Sequence, residues 1–177
     1  MKTALLIIDV QVGLVALMPR DLREDVLKNI ATLLARARST GTAVIFVQHD
    51  GPKGHPLEVG TKAWEIHSTI LPLSGEPVVR KPASDSFFET RLAECLSSQG
   101  VTSLIIAGGM TEYCIDTTCR RAVSLGYDVT LVSDGHFTRD TSVLPALEIV
   151  THHNQLLDGF AAGSHEISVW PADQVSI

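Results

Sequence analysis

The chain has 177 residues, 45% hydrophobic and 19% charged, with 14 lysines and arginines against 20 aspartates and glutamates. That length points to one domain with a sizeable core, and the low charge content excludes disorder. A net charge of −6 argues against nucleic acid or an anionic membrane surface as partner. Three cysteines make no disulfide framework and fit a reducing, cytoplasmic compartment. The opening apolar run stops at Asp9, too short for a signal-peptide core. No stretch approaches the ~20 apolar residues of a membrane span.

Ala4–Ile8 reads as a strand buried on both faces. Leu22, Val26, Ile30, Leu33, Leu34 and Ala37 recur at helical spacing, and Gly41 marks that helix's end. Ala43–Val47 is a second strand. Residues 50–76 carry four glycines and three prolines and read as a long excursion with a short helix at 61–70. Pro77–Arg80 is a third strand. Ser86-Phe87-Phe88-Glu89 has capping-box spacing and predicts a helix running to Gly100. Ser103–Ala107 is a fourth strand, followed by a helix over 112–125 with Thr111 as its N-cap. Val129–Val132 is a fifth strand. Asp140 caps a helix to about Leu157, with Pro145 tolerated only in its first turn, and Glu166–Val169 is a sixth strand. Strands alternating with helices predict an α/β fold, a single-domain three-layer sandwich whose doubly wound, mostly parallel, six-stranded sheet carries helices on both faces.

In such sheets ligands bind beyond the carboxyl ends of the strands. Three residues there can carry chemistry. Cys114 falls in the first turn of its helix, where the dipole and free N–H groups favour a thiolate. Asp9 directly follows five buried apolar residues, a costly place for an acid without a partner or a task, and it can serve as a general base. Lys81 directly follows the third strand and can stabilise a thiolate or a developing oxyanion. Cys95 and Cys119 read as packing residues on helix faces. Gln11, Trp64, Phe87, Tyr113 and Phe137 are candidates for the walls of a substrate pocket.

The runs Leu5-Leu6-Ile7-Ile8-Asp9-Val10-Gln11, Arg80-Lys81 with Ser86-Phe87-Phe88-Glu89, and Gly108-Gly109-Met110-Thr111-Glu112-Tyr113-Cys114, in this order, resemble the isochorismatase-like cysteine hydrolases over nearly the whole chain. The resemblance implies a strand order 3-2-1-4-5-6. It also implies a catalytic triad on Asp9, Lys81 and Cys114, an oxyanion hole from the Met110 and Cys114 N–H groups, and a cis peptide at Gly109–Met110. It implies a small-molecule substrate and a homodimer or larger homo-oligomer, in keeping with the apolar-biased composition.

Nicotinamidases in this superfamily hold a metal after the second strand through an Asp-x-His pair and a further histidine. Here the order is His49-Asp50, with His55 and His67 beyond, so no metal and no other cofactor is expected. Isochorismate hydrolases proper lack the cysteine, so Cys114 tilts the expectation toward cleavage of amide, carbamoyl or ureide C–N bonds through a thioester. The alternatives are an ether hydrolase of the isochorismatase type and a catalytically silent α/β binding module. A nucleotide-binding Rossmann domain would need Gly-x-Gly-x-x-Gly where this chain has Asp9-Val10-Gln11-Val12-Gly13-Leu14.

Overall fold

The computed structural model describes residues 2–177. Its strands are β1 (Thr3–Ile8), β2 (Ala43–His49), β3 (Val78–Lys81), β4 (Ser103–Gly109), β5 (Asp128–Phe137), β6 (Ala161–Ala162) and β7 (His165–Trp170). Its helices are α1 (Val12–Leu17), α2 (Arg20–Thr40), α3 (Leu92–Ser97), α4 (Asp116–Ser124) and α5 (Ala146–Leu157). The strands form one sheet in the order β3-β2-β1-β4-β5-β7-β6. Every pairing is parallel except β6 with β7. The sheet thus has seven strands where the sequence suggests six. The addition is a two-residue segment held antiparallel against Glu166 and His165, too short to leave an apolar signature.

Side chains alternate across β1. Ala4, Leu6 and Ile8 join one core with Leu92 and Leu96 of α3 and with Cys119, Ala122 and Val123 of α4. Leu5 and Ile7 join the other, with Val15 of α1 and with Leu27, Ile30, Leu33, Leu34 and Ala37 of α2. Those two apolar faces make the central strand read as a continuous hydrophobic run. Gly41 closes α2 in the left-handed conformation, φ 73°, its N–H bonded to the Ala37 and Arg38 carbonyls.

Three local expectations change. The capping box at Ser86 does not form: the Ser86 hydroxyl pairs with Thr118 Oγ1 at 2.8 Å instead, Glu89 takes φ 53°, and α3 starts only at Leu92. A buried tertiary hydrogen bond outcompetes the local one. The helix after residue 140 starts at Ala146 with Pro145 as N-cap, although Asp140 still accepts the Ala146 N–H at 2.8 Å. Within 61–70 only Ser68–Ile70 is helical, as a 3-10 turn. The excursion is pinned by backbone bonds to the α1 start, Val12 N–H to Glu65 O at 2.9 Å and Gly13 N–H to Ala63 O at 2.8 Å.

The carboxyl end of β4 approaches its neighbours too closely for a side chain. Gly108 sits at φ 126°, and a Cβ there would lie 1.9 Å from the Ile8 carbonyl oxygen. One at Gly109 would lie 2.6 Å from the Phe137 ring. Behind this turn a buried polar chain links three elements. Thr111 Oγ1 bonds His136 Nδ1 at 2.9 Å, His136 Nε2 bonds Asn154 Oδ1 at 2.8 Å, and Asn154 Nδ2 donates to the Ser133 carbonyl at 3.0 Å. The Asn154 oxygen makes His136 Nε2 the donor, and burial keeps the ring neutral, so Nδ1 accepts from Thr111.

Two outcomes follow for stability. Gly108→Ala should cost about 3 kcal/mol or more, because both the backbone angle and the Ile8 oxygen forbid the methyl, and urea denaturation would measure it. Burial lowers the His136 pKa to about 4, with Asn154 opposing, so the unfolded chain takes up this proton first as pH falls. Stability from the neutral ring is therefore full above pH 6.5 and is lost between there and about 4. Between pH 7.5 and 5 the wild type should lose about 2 kcal/mol through this residue, a loss that His136→Gln should not show.

Candidate active site

Asp9 is the first residue beyond β1, and its N–H is tied to the Val47 carbonyl at 2.9 Å. Its φ of 51° turns the chain sharply at the carboxyl end of the sheet, a conformation that aspartate tolerates better than most residues. Lys81 is the last residue of β3, in register with His49. Two strands separate β3 from β4, and neighbouring strands lie roughly 4.8 Å apart, so only a long side chain can cross. Lys81 does: its Nζ lies 2.7 Å from Asp9 Oδ2 and 3.1 Å from Cys114 Sγ. It also donates to the Ala83 carbonyl at 2.8 Å. Asp9 and Lys81 side chains are both 0% exposed.

Cys114 comes from the turn after β4. The Gly109–Met110 peptide there is cis. The next residues, Thr111–Ile115, form a π-helical turn with Met110 at its N-cap, and α4 begins only at Asp116. Thr111 is therefore not the cap, and its hydroxyl is committed to His136. The Met110 carbonyl accepts from the Tyr113 and Ile115 N–H groups at 3.1 and 3.2 Å, skipping the N–H of Cys114.

The electrostatics differ from a cysteine activated by a helix end. Burial pushes the Cys114 thiol up to about 12, the Asp9 carboxylate adds to the rise, and Lys81 only partly offsets it. At neutral pH the resting thiol keeps its proton. Lys81 is itself held above the usual lysine range: burial opposes the charge, but Asp9 and Cys114 outweigh it. Asp9 Oδ1 is buried and has no hydrogen-bond partner among the described residues. The arrangement offers a protonated thiol, a carboxylate beside it and a fixed cation touching both.

A pocket of about 270 Å³ opens on these groups. Leu14, Leu57, Met110 and Tyr113 make apolar walls, while His49, His55 and Ser84 add polar ones. Of the five proposed wall residues only Tyr113 lines it. Gln11 is buried and works as a clamp: its amide donates to the His49 and Trp64 carbonyls and accepts the His49 N–H. Trp64 donates to Asp50 and lies under the Arg80 guanidinium. Phe87 stacks on Tyr127, and Phe137 packs behind Gly109. His49 and His55, which the sequence offers as metal-ligand candidates, line the pocket, and the place of His49 at the end of β2 is the sequence signal for that role.

The four residues weighed as metal ligands do not converge. The His49 and His55 rings are 5.5 Å apart, Asp50 is paired with Arg80 and Trp64, and His67 caps the 3-10 turn. Among the described residues no three His, Cys, Asp or Glu side chains gather in a metal-binding group, so this set does not fit a resident ion. Cys119 is sealed in the core, where burial raises its thiol pKa far above the ordinary value.

The family model "Isochorismatase domain" matches residues 3–154. A streptothricin hydrolase of Streptomyces noursei is 39% identical over 145 residues, which cover 80% of this chain and 52% of that protein. The chain thus spans about half the length of that relative. The ureidoacrylate amidohydrolase RutB of Enterobacter sp. (strain 638) is 28% identical over 140 residues, 63% of this chain and 61% of that one. Among solved structures, an isochorismatase from Pseudomonas putida KT2440 matches with a TM-score of 0.87 at 30% identity, covering 98% of this chain and 90% of the other. With the sheet order and a family match that runs from β1 into α5, the chain belongs to the isochorismatase family of hydrolases.

Proposed function

We propose that this hydrolase cleaves a C–N bond of a small molecule, an amide, carbamoyl or ureide group, through a thioester on Cys114. The observation that carries the reading is the sealed contact of Lys81 with both Asp9 and Cys114 at the floor of a pocket. The names of the streptothricin hydrolase and the ureidoacrylate amidohydrolase are consistent with it.

As Cys114 Sγ attacks the carbonyl carbon, Asp9 takes the thiol proton, the step a thiol held at about 12 requires. The tetrahedral oxyanion sits on the Met110 and Cys114 N–H groups. Asp9 then passes the proton to the nitrogen, the C–N bond breaks and the amine departs. Water attacks the thioester with Asp9 as base, the acid is released, and Asp9 returns the proton to sulfur. Throughout, Lys81 offsets negative charge on Asp9 and on the departing thiolate. Three free cysteines agree with a reducing, cytoplasmic setting.

We also propose self-association. Exposed Leu147 lines a groove of about 240 Å³ between α2 and α5, and Val143, 82% exposed, and exposed Leu144 lie in the segment that leads into α5. Such a patch is better covered by a second copy than by water.

Ammonia release across a panel of small primary amides, carbamoyl and ureido compounds would test the chemistry. On any substrate found, Asp9→Asn should lower kcat by about 10²–10⁴-fold, and Cys114→Ala by at least as much, with circular dichroism unchanged. A folded Cys114→Ala enzyme at near wild-type turnover would contradict covalent catalysis. Light scattering at micromolar concentration should give a dimer or larger; a strict monomer would contradict self-association.

A further inference from the structure

The charge state of the pocket narrows the substrate class. An ammonium has three N–H donors, and those of Lys81 are spent on Asp9 Oδ2, the Ala83 carbonyl and Cys114 Sγ at 2.7, 2.8 and 3.1 Å. The Lys81 side chain is 0% exposed, so it has no donor to offer a substrate. Arg80 is held by Asp50 at 2.5 Å and stacked on Trp64, and neither arginine nor any other lysine lines the pocket among the described residues.

The remaining polar wall is uncharged Ser84 and a pair of histidines. His55 Nδ1 accepts the Leu57 N–H at 3.0 Å, so that nitrogen carries no proton, and the ring is the neutral form with its hydrogen on Nε2. The ring's place is built in: a Cβ on Gly51 would lie 2.3 Å from His55 Nδ1, so the loop closes on it only because residue 51 is glycine. His49 stands beside it at 5.5 Å, its Nδ1 buried and without a partner among the described residues. Burial, and then the Lys81 charge, hold His49 below the usual histidine range, outweighing Asp9 and Asp50.

We infer that the pocket selects substrates whose non-reacting end is uncharged, an amide, urea or hydroxyl oxygen that accepts the His55 Nε2–H, and disfavours analogues that carry a carboxylate there. This rests on Cys114 being the nucleophile. An incoming carboxylate would meet no free cation in the wall and face the Asp9 charge. An uncharged oxygen needs one donor, and one is present.

Two reagents of one size and one chemistry separate these cases without a known substrate. Iodoacetamide and iodoacetate, one uncharged and one a carboxylate, both alkylate Cys114 as its thiol proton passes to Asp9, the S–C bond forms and iodide leaves. Their rates at Cys114, read by peptide mass spectrometry at pH 7.5, are compared with those at the uncharged thiol N-acetylcysteinamide. The iodoacetate-to-iodoacetamide ratio at Cys114 should be at least tenfold below that of the free thiol. His55→Lys should raise it at least fivefold by placing a cation in the wall. An equal or higher ratio in the wild type, or no change in His55→Lys, overturns the inference and leaves the nucleophile standing. Alkylation of Cys114 no faster than that of Cys119, sealed in the core, removes the nucleophile and the inference together.

Discussion

Everything in the site depends on one buried ion pair. Asp9 and Lys81 are both shut off from water and lie 2.7 Å apart. Taking either charge out of water alone costs several kcal/mol. The structure tolerates them because each neutralises the other and because Lys81 finds two further acceptors in Ala83 O and Cys114 Sγ. The pair also explains the sheet end. β1 must stop where its next residue can meet the tip of a lysine from two strands away, and β4 must end in glycines so that the cysteine turn can close on both.

The same pair sets the chemistry of the thiol. A lone lysine would draw Cys114 toward thiolate. Burial first and Asp9 second outweigh that pull, and the sulfur rests protonated. Under the proposed mechanism the proton passes to Asp9 as the sulfur attacks, so the site needs no standing thiolate. A pocket thiol held this way is also less exposed to oxidation, since the thiolate is the reactive form.

Much of this was legible in the sequence. Two-sided burial gave β1 and β2 unbroken apolar runs, and the acid, lysine and cysteine each followed a strand end, where parallel sheets place ligands. The third strand could also be read from its short apolar run, although only coordinates show its lysine crossing two strands. What escaped was decided by tertiary partners. Ser86 has a helix-start spacing yet bonds Thr118. Thr111 reads as a cap yet bonds His136 across to β5. Gln11 looks like a pocket amide yet clamps β2 to the long excursion. The pocket histidines are visible as residues, but the orientation of His55 is set by one backbone N–H at Leu57 and the missing side chain of Gly51.

The central claim is that Asp9, Lys81 and Cys114 act as one covalent machine. Acid-quenching the enzyme during turnover of a hydrolysed compound and weighing the intact protein would test it most directly. The account predicts a mass increase equal to the acyl portion, mapped to Cys114, absent from Cys95 and Cys119, and lost on treatment with hydroxylamine. Steady turnover with no adduct on Cys114 at any quench time, together with full activity in folded Cys114→Ala, would contradict it.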